Sequence, residues 1–322
     1  MQYMKRLLIG FIWALALSCA GTGTHSDGHE TSITPEHPQD QSSGLSEIGK
    51  AITTGTDLVM SITNDTSYVL TPGLTITEFG YIGKHGLRMK TWFMTVDLNT
   101  DGLTIESIYP SAGPLASMTD MAKDHDSSSA HVWAGVNTDF FTSKGPQGIL
   151  HHDGKCIKGE YNATPVRDRS FFFLSKDKTG YISSSTIYKS IASGGNIEEA
   201  FSGAHILLSD AAIPTFSPEG LNSKSHPRTA AGCSKDGKTV WFMVVDGRQE
   251  DWSNGMYYEE MAAIFKAIGA HSASNLDGGG SSTFFIRNDS HTGESNPFKV
   301  LNRPSDGSER KVACGAVVVS MK

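Results

Sequence analysis

After its first seventeen residues the chain has no apolar run long enough to cross a bilayer, so no spanning helix is expected beyond that point. Cysteine is scarce. Cys19, Cys156, Cys233 and Cys314 are spaced to match no zinc pattern, and with Cys19 set aside they permit at most one disulfide. The later three are expected to be small buried residues in strands. An excess of positive charge is also missing. With 27 Lys+Arg against 34 Asp+Glu the net charge is −7, which argues against a general nucleic-acid-binding face and leaves room for a local basic site. Charged residues make up 19% and hydrophobic residues 38%, which excludes a coiled coil and a disordered chain.

The N-terminus carries Lys5 and Arg6, then an apolar stretch from Leu7 to Leu17. Its basic start and short length mark a signal peptide over residues 1–18 rather than a spanning helix. Ala16-Leu17-Ser18-Cys19 resembles a bacterial lipoprotein cleavage box with Cys19 as the lipid anchor. A cell-envelope location is therefore expected, with membrane contact through that lipid only, or secretion if Cys19 is not modified. Residues 19–44 hold one large apolar side chain, Ile33, and read as a disordered tether. Residues 45–322 are then one domain, with a helix-plus-hairpin part at 45–125 and a motif-bearing part at 126–322.

Periodicity in that domain mixes the two regular structures. Leu45, Ile48 and Ile52 mark a short amphipathic helix, and a second is expected over Leu115–Lys123. Trp92 to Leu98 alternates as a half-buried strand, and Asn99-Thr100-Asp101-Gly102 reads as the turn of a hairpin returning through Leu103 to Tyr109. Further hairpins are expected around Asp153-Gly154, the Lys/Asp/Gly turn after Leu174, and Asp236-Gly237. Ile197 to Phe201 reads as a helical turn, and the clearest helix runs from about Gly255 to Ile268 with Ser253 or Asn254 as cap and Gly269 as its end. Hairpins outnumber crossovers, so the expected class is α+β, with a largely antiparallel or mixed sheet, packed helices and one polar surface cavity.

Three polar clusters stand at strand ends. The first is Asn137-Thr138-Asp139-Phe140-Phe141, where an Asn and an Asp follow a buried strand. The second joins His226-Pro227-Arg228-Thr229-Ala230 to Asp246-Gly247-Arg248. If their strands pair antiparallel, Arg228 and Asp246 meet at one sheet edge, where Arg can grip phosphate oxygens and Asp can act as base, nucleophile or ion-pair partner. The third is Asn275-Leu276-Asp277-Gly278-Gly279-Gly280-Ser281-Ser282, whose glycines allow close backbone approach or an anion-binding nest. No Gly-Lys-Ser/Thr follows that run and no Gly-X-Ser-X-Gly elbow surrounds Ser281, so neither an ATPase loop nor a serine nucleophile is favoured. His151 and His152 are adjacent on a strand and point to opposite faces, which argues against a metal shared between them.

In this order the clusters carry a resemblance. Asn-X-X-Phe-Phe at Asn137, Arg-Thr-Ala-X-Gly at Arg228, Asp-Gly-Arg at Asp246, the helix with Glu259 and Met261, and Leu-Asp-Gly-Gly-Gly-Ser at Leu276 resemble the phosphodiester glycosidase family from about Trp92 to Val319. Thr138-Asp139 departs from the Gly-Gly pair of the animal members. The resemblance implies a hydrolase that cleaves a sugar-1-phosphodiester, such as N-acetylglucosamine-1-phosphate linked to another sugar, between the anomeric carbon and the phosphate oxygen. On that reading Arg228, Arg248, Thr229, Ser281 and the N–H groups of Gly278, Gly279 and Gly280 hold phosphate or sugar. Asn137 holds a sugar hydroxyl or acetamido group. Asp277 and Asp246 are the first catalytic carboxylates, with Asp139 and Glu259 second. No cofactor and no metal-ligand set is assigned, although a Ca²⁺ or Mg²⁺ site built from Asp and backbone oxygens would escape such a reading. The competing classes are a non-catalytic glycan-binding lipoprotein using Trp252, Tyr257 and Tyr258 as sugar platforms, and a metal-dependent phosphodiesterase.

Overall fold

The computed structural model describes residues 44–162, 169–217, 224–288 and 296–321, all within one compact unit. The segments read as a signal peptide and a tether, with Cys19, lie outside the described residues as far as residue 43. Every pairing between strands is antiparallel. With the helices Glu47–Gly55, Met118–His125, Tyr188–Ser193 and Tyr258–Ala267, this is an α+β fold.

The main sheet has seven strands, in the order Ser61–Thr71, Leu74–Ile82, Arg88–Asp97, Thr239–Val245, Arg228–Cys233, Ser272–Asn275 and Ile206–Leu208. Its central strands are apolar on both faces because both are covered. Val240, Phe242 and Val244 point into a core shared with the other sheets, against Val136, Phe172, Phe201 and Val318. Met243 and Val245 alternate with them and meet the helices through Ile48, Ile52, Met261, Ile264 and Phe265. A five-stranded sheet follows the order Phe298–Val300, Phe284–Arg287, Ala130–Asn137, Gly315–Met321 and Leu103–Ile108. Another runs Gly180–Ser184, Ser170–Ser175, Ile197–Ser202, Leu150–His152 and Lys155–Lys158.

Several expectations change. Leu103–Ile108 pairs with Gly315–Met321 and not with Arg88–Asp97, so the Asn99–Gly102 turn carries the chain from one sheet into another. Ile197–Ser202 is a strand between two partners rather than a helical turn. Ser61–Thr71 and Leu74–Ile82 form a long hairpin with no clear sequence signal, since the outer strand is largely exposed. The last long helix begins at Tyr258, where the Glu260 carboxylate accepts from the Tyr257 N–H at 2.8 Å, and not after a Ser253 or Asn254 cap. Cys233 and Cys314 are buried thiols, but Cys156 is exposed.

One glycine contact sets the spacing of the site. Gly255 has φ +93°, and a Cβ there would lie 2.6 Å from the carbonyl carbon of His226. The close approach lets Met256 N donate to His226 O at 3.0 Å, which locks the segment before Arg228 against the segment before the helix. Gly255→Ala meets both strain and a backbone clash, so it is expected to lower stability by about 2 kcal/mol or more, read as the midpoint of urea unfolding.

Candidate active site

The three polar clusters converge where the sheets meet. Asn137 ends a strand of the five-stranded sheet and is 1% exposed. Its Oδ1 accepts from Thr229 Oγ1 at 2.9 Å and from Thr283 N at 3.0 Å, and its Nδ2 donates to Asp277 O at 2.7 Å. Asp277 N donates to Thr138 O at 2.7 Å and Leu276 N to Thr229 O at 2.8 Å. Asn137 and Thr229 thus fasten the backbone together. Neither borders the cavity, so the sugar- or phosphate-binding roles expected of them are not what the geometry gives.

Arg228 opens its strand opposite Val245, which puts Asp246 at the same sheet edge as expected. The Arg228 guanidinium is buried. Its Nε donates to Met256 O at 3.0 Å, its Nη2 donates to Lys224 O at 2.9 Å, and its Cζ lies 4.2 Å from the Tyr258 ring centroid. Arg248 is exposed and takes φ +61°, unusual for a side-chain-bearing residue. Its Nη2 is 3.4 Å from His226 Nδ1. A Cβ on Gly279 would sit 3.2 Å from Arg248 Nη2, so glycine there lets the guanidinium lie against the loop.

A cavity of about 120 Å³ opens here, bordered by Phe140, His226, Arg228, Arg248, Tyr258, Asn275, Asp277, Gly278 and Gly279. Asp277 is its only carboxylate. Burial pushes this carboxyl up to about 7; Ser281, Arg310 and the Gly278 N–H oppose the shift, and negative Asp139 adds to it. Asp139 stands behind the cavity. It is paired with Arg169 and accepts from Gly148 N at 2.6 Å, and burial raises its carboxyl to about 6 against the pull of Arg169. His226 is held below its usual range by burial and by Arg228, Arg248 and Lys224, so it is neutral at pH 7. Two guanidinium groups around one reluctant carboxylate form a donor set for an anion rather than a cation.

Two carboxylates expected to be catalytic do not border the cavity. Asp246 accepts from Asn302 Nδ2 at 3.0 Å, Trp252 Nε1 at 2.7 Å and Arg303 N at 2.8 Å, which turns it into a buried anchor for neighbouring loops. Glu259 points outward from the helix and is exposed. Two of the three N–H groups of the glycine run are already taken. Gly279 N donates to Pro227 O at 2.9 Å, and the Gly278 N–H serves Asp277. A Cβ on Gly280 would collide with Asp306 and Arg310 at 2.3 Å, so this glycine admits a close contact within the protein. Ser281 is fully buried and hydrogen-bonds Asp277; it does not border the cavity, where it was expected to touch phosphate or sugar. His226 and Asn275 border the cavity but were not singled out from sequence, although both lie inside the clusters that were.

Residues 130–319 match the family described as phosphodiester glycosidase. The chain belongs to that family, and it is a hydrolase of the phosphodiester glycosidase class. Its fold is similar to that of the zebrafish N-acetylglucosamine-1-phosphodiester alpha-N-acetylglucosaminidase catalytic domain auto-inhibited by pro-peptide, with a TM-score of 0.58 and 19% identity over 80% of this chain and 87% of that one. A hypothetical protein from Synechocystis is similar with a TM-score of 0.52 and 12% identity over 80% of this chain. This chain spans 64% of that protein's length. No curated protein matches the sequence.

The Asp277 environment has a consequence for stability. Its folded value of about 7 stands above the ordinary 3.8, so the folded state holds the proton more tightly. That contribution is complete below about pH 4 and is lost as pH rises through 7, where ionisation in a buried site costs stability. Asp277→Asn cannot ionise. Its melting temperature is expected to match the parent at pH 3.5 and to exceed it by a few degrees at pH 8, as measured by calorimetry at the two pH values.

Proposed function

We propose that the cavity cleaves a sugar-1-phosphodiester at the anomeric C–O bond, with Arg228 and Arg248 on the phosphate and Asp277 as the proton acceptor for the attacking water. The observation that carries the proposal is the placement of one half-buried carboxyl, raised to about 7, in a cavity with two guanidinium groups. The bond from the anomeric carbon to the phosphate oxygen breaks, and its electron pair stays on phosphate. Water forms the new bond to that carbon and gives a proton to Asp277. A diester with one negative charge becomes a monoester with a second, and Arg228 and Arg248 stabilise the charge as it develops. Because phosphate is already a good leaving group, a strong general acid is not needed. Asp139 acts from behind, where its negative charge holds the Asp277 carboxyl up. Neutral His226 faces Arg248 and orients it.

A cavity of about 120 Å³ is small against the several hundred Å³ of ordinary ligand sites. It suits a phosphate and the edge of one sugar, with the second sugar directed outward past exposed Arg248. N-acetylglucosamine-1-phosphate linked to another sugar fits this reading, and the chemistry requires only an anomeric phosphodiester. An envelope location, read from the N-terminal segment, would place the enzyme among phosphodiester-linked glycans. Pure glycan binding has less support: Tyr258 is fully buried beneath Arg228, and Trp252 is tied to Asp246 and covered by Lys90 at 5.1 Å.

The full chain is expected to release free N-acetylglucosamine and mannose phosphate from N-acetylglucosamine-1-phospho-mannose. Arg248→Ala, an exposed change that leaves the core intact, is expected to lower kcat/KM by about 10²-fold, as expected for removing one charge-stabilising donor. Asp277→Asn is expected to lower kcat by roughly 10²–10⁴-fold. In the parent, kcat is expected to rise with pH through about 7 as Asp277 ionises, and this step is expected to vanish in the variant. Unchanged turnover in both variants would overturn the assignment.

A further inference from the structure

The larger cavity, about 330 Å³, borders none of the motif residues. It lies between the two five-stranded sheets and is bordered by Glu106, His152, Asp153 and Glu199 among others. Glu106 comes from the strand Leu103–Ile108, His152 ends the strand Leu150–His152, and His125 ends the helix Met118–His125. Each offers a donor atom, and the three donors lie within 4.8 Å of one another. Among the described residues this is the one cluster of three or more such side chains with that spacing.

We infer that Glu106, His125 and His152 form a binding site for a divalent transition cation of the Zn²⁺ type, remote from the Arg228 cavity. The donor chemistry is two imidazoles and a carboxylate, which suits zinc better than the oxygen-seeking calcium or magnesium. The hydrogen bonds behind the histidines support it. Glu199 is 3% exposed and holds His152 Nδ1 at 3.2 Å, which leaves Nε2 as the nitrogen available to a metal. Glu199 is itself fixed by Ser107 N at 2.8 Å and Asp153 N at 2.9 Å. A buried carboxylate that orients a ligating histidine in this way is the usual support of a metal site. His125 Nε2 and Glu106 Oε2 stand 2.6 Å apart, and the His125 and His152 rings meet at 70° with centroids 5.4 Å apart. Bonds of about 2 Å to a tetrahedral ion place neighbouring donors about 3.3 Å apart, so the pair opens slightly and the third donor closes in. Glu106 and His152 border the cavity, from which water can complete the coordination. The ion would tie a strand of each five-stranded sheet to the helix end.

The test is calorimetric titration of Zn²⁺ into the metal-stripped full chain, with His25, His29 and His37 replaced by Gln to silence the tail. One site per chain is expected, weakened by about 10–100-fold in His125→Gln and in His152→Gln. Zn²⁺ is expected to raise the melting temperature of the parent and not that of the double variant. A second readout needs no variant in the cluster: crystals of the parent soaked in Zn²⁺ are expected to show an anomalous peak between Glu106, His125 and His152. No stoichiometric binding, equal binding by parent and double variant, or a peak elsewhere would overturn the inference.

Discussion

The Asn137 side chain is the joint on which the site depends. One amide reaches a hydroxyl of the seven-stranded sheet at Thr229, a backbone N–H at Thr283 and the Asp277 carbonyl. These groups lie 92, 146 and 140 residues away in sequence. Thr229 and Thr283 are buried, so each would lose a hydrogen bond without a replacement from water if the amide were removed, and such losses cost roughly 1–3 kcal/mol each. The loop from Asn275 to Thr283 must cross from one sheet to another, and Asn137 fixes its path. The direction of the Asp277 carboxylate follows from that path.

Electrostatics then separates the roles of the acidic residues. Asp246 has three fixed donors on its two oxygens and holds loops in place. Asp139 is paired with Arg169 and shapes the field. Asp277 is left with weaker compensation, so burial dominates and its carboxyl rises to about 7. A proton acceptor poised near neutral pH beside two permanent cations is what hydrolysis of an anionic diester requires. The acidic charge of the chain as a whole does not conflict with this, since the cations are gathered at one sheet edge.

Much of this was legible because strand ends release side chains from the ladder. The alternation from Trp92, the hairpin at Asp236-Gly237 and the glycine run after Asp277 placed Arg228 and Asp277 at such ends. Less legible were features set by distant partners. Asp246 looks catalytic until Asn302 and Arg303, 56 and 57 residues on, are seen to occupy it. Glu259 and Glu260 are neighbours in sequence, yet one faces solvent and the other caps the helix. Asn99-Thr100-Asp101-Gly102 has the same chemistry whether the next strand returns or leaves, so the sheet change was hidden. The glycines after Asp277 read equally as an anion nest or as room for neighbours, and the contacts of Pro227, Asp306 and Arg310 decide for the latter.

The central claim is that the bond to the anomeric carbon breaks and that phosphorus is not attacked. Free sugar and a phosphate monoester arise from either route when the bridging oxygen on the sugar side is involved, so products alone do not separate them. Hydrolysis in water enriched in oxygen-18 does. The account predicts the label in the anomeric hydroxyl of the released sugar and none in the phosphate, read by mass spectrometry at short times, before hydration of the open-chain aldehyde carries solvent oxygen into the sugar. Label in the phosphate would contradict the account and would mean that Arg228, Arg248 and Asp277 serve attack at phosphorus.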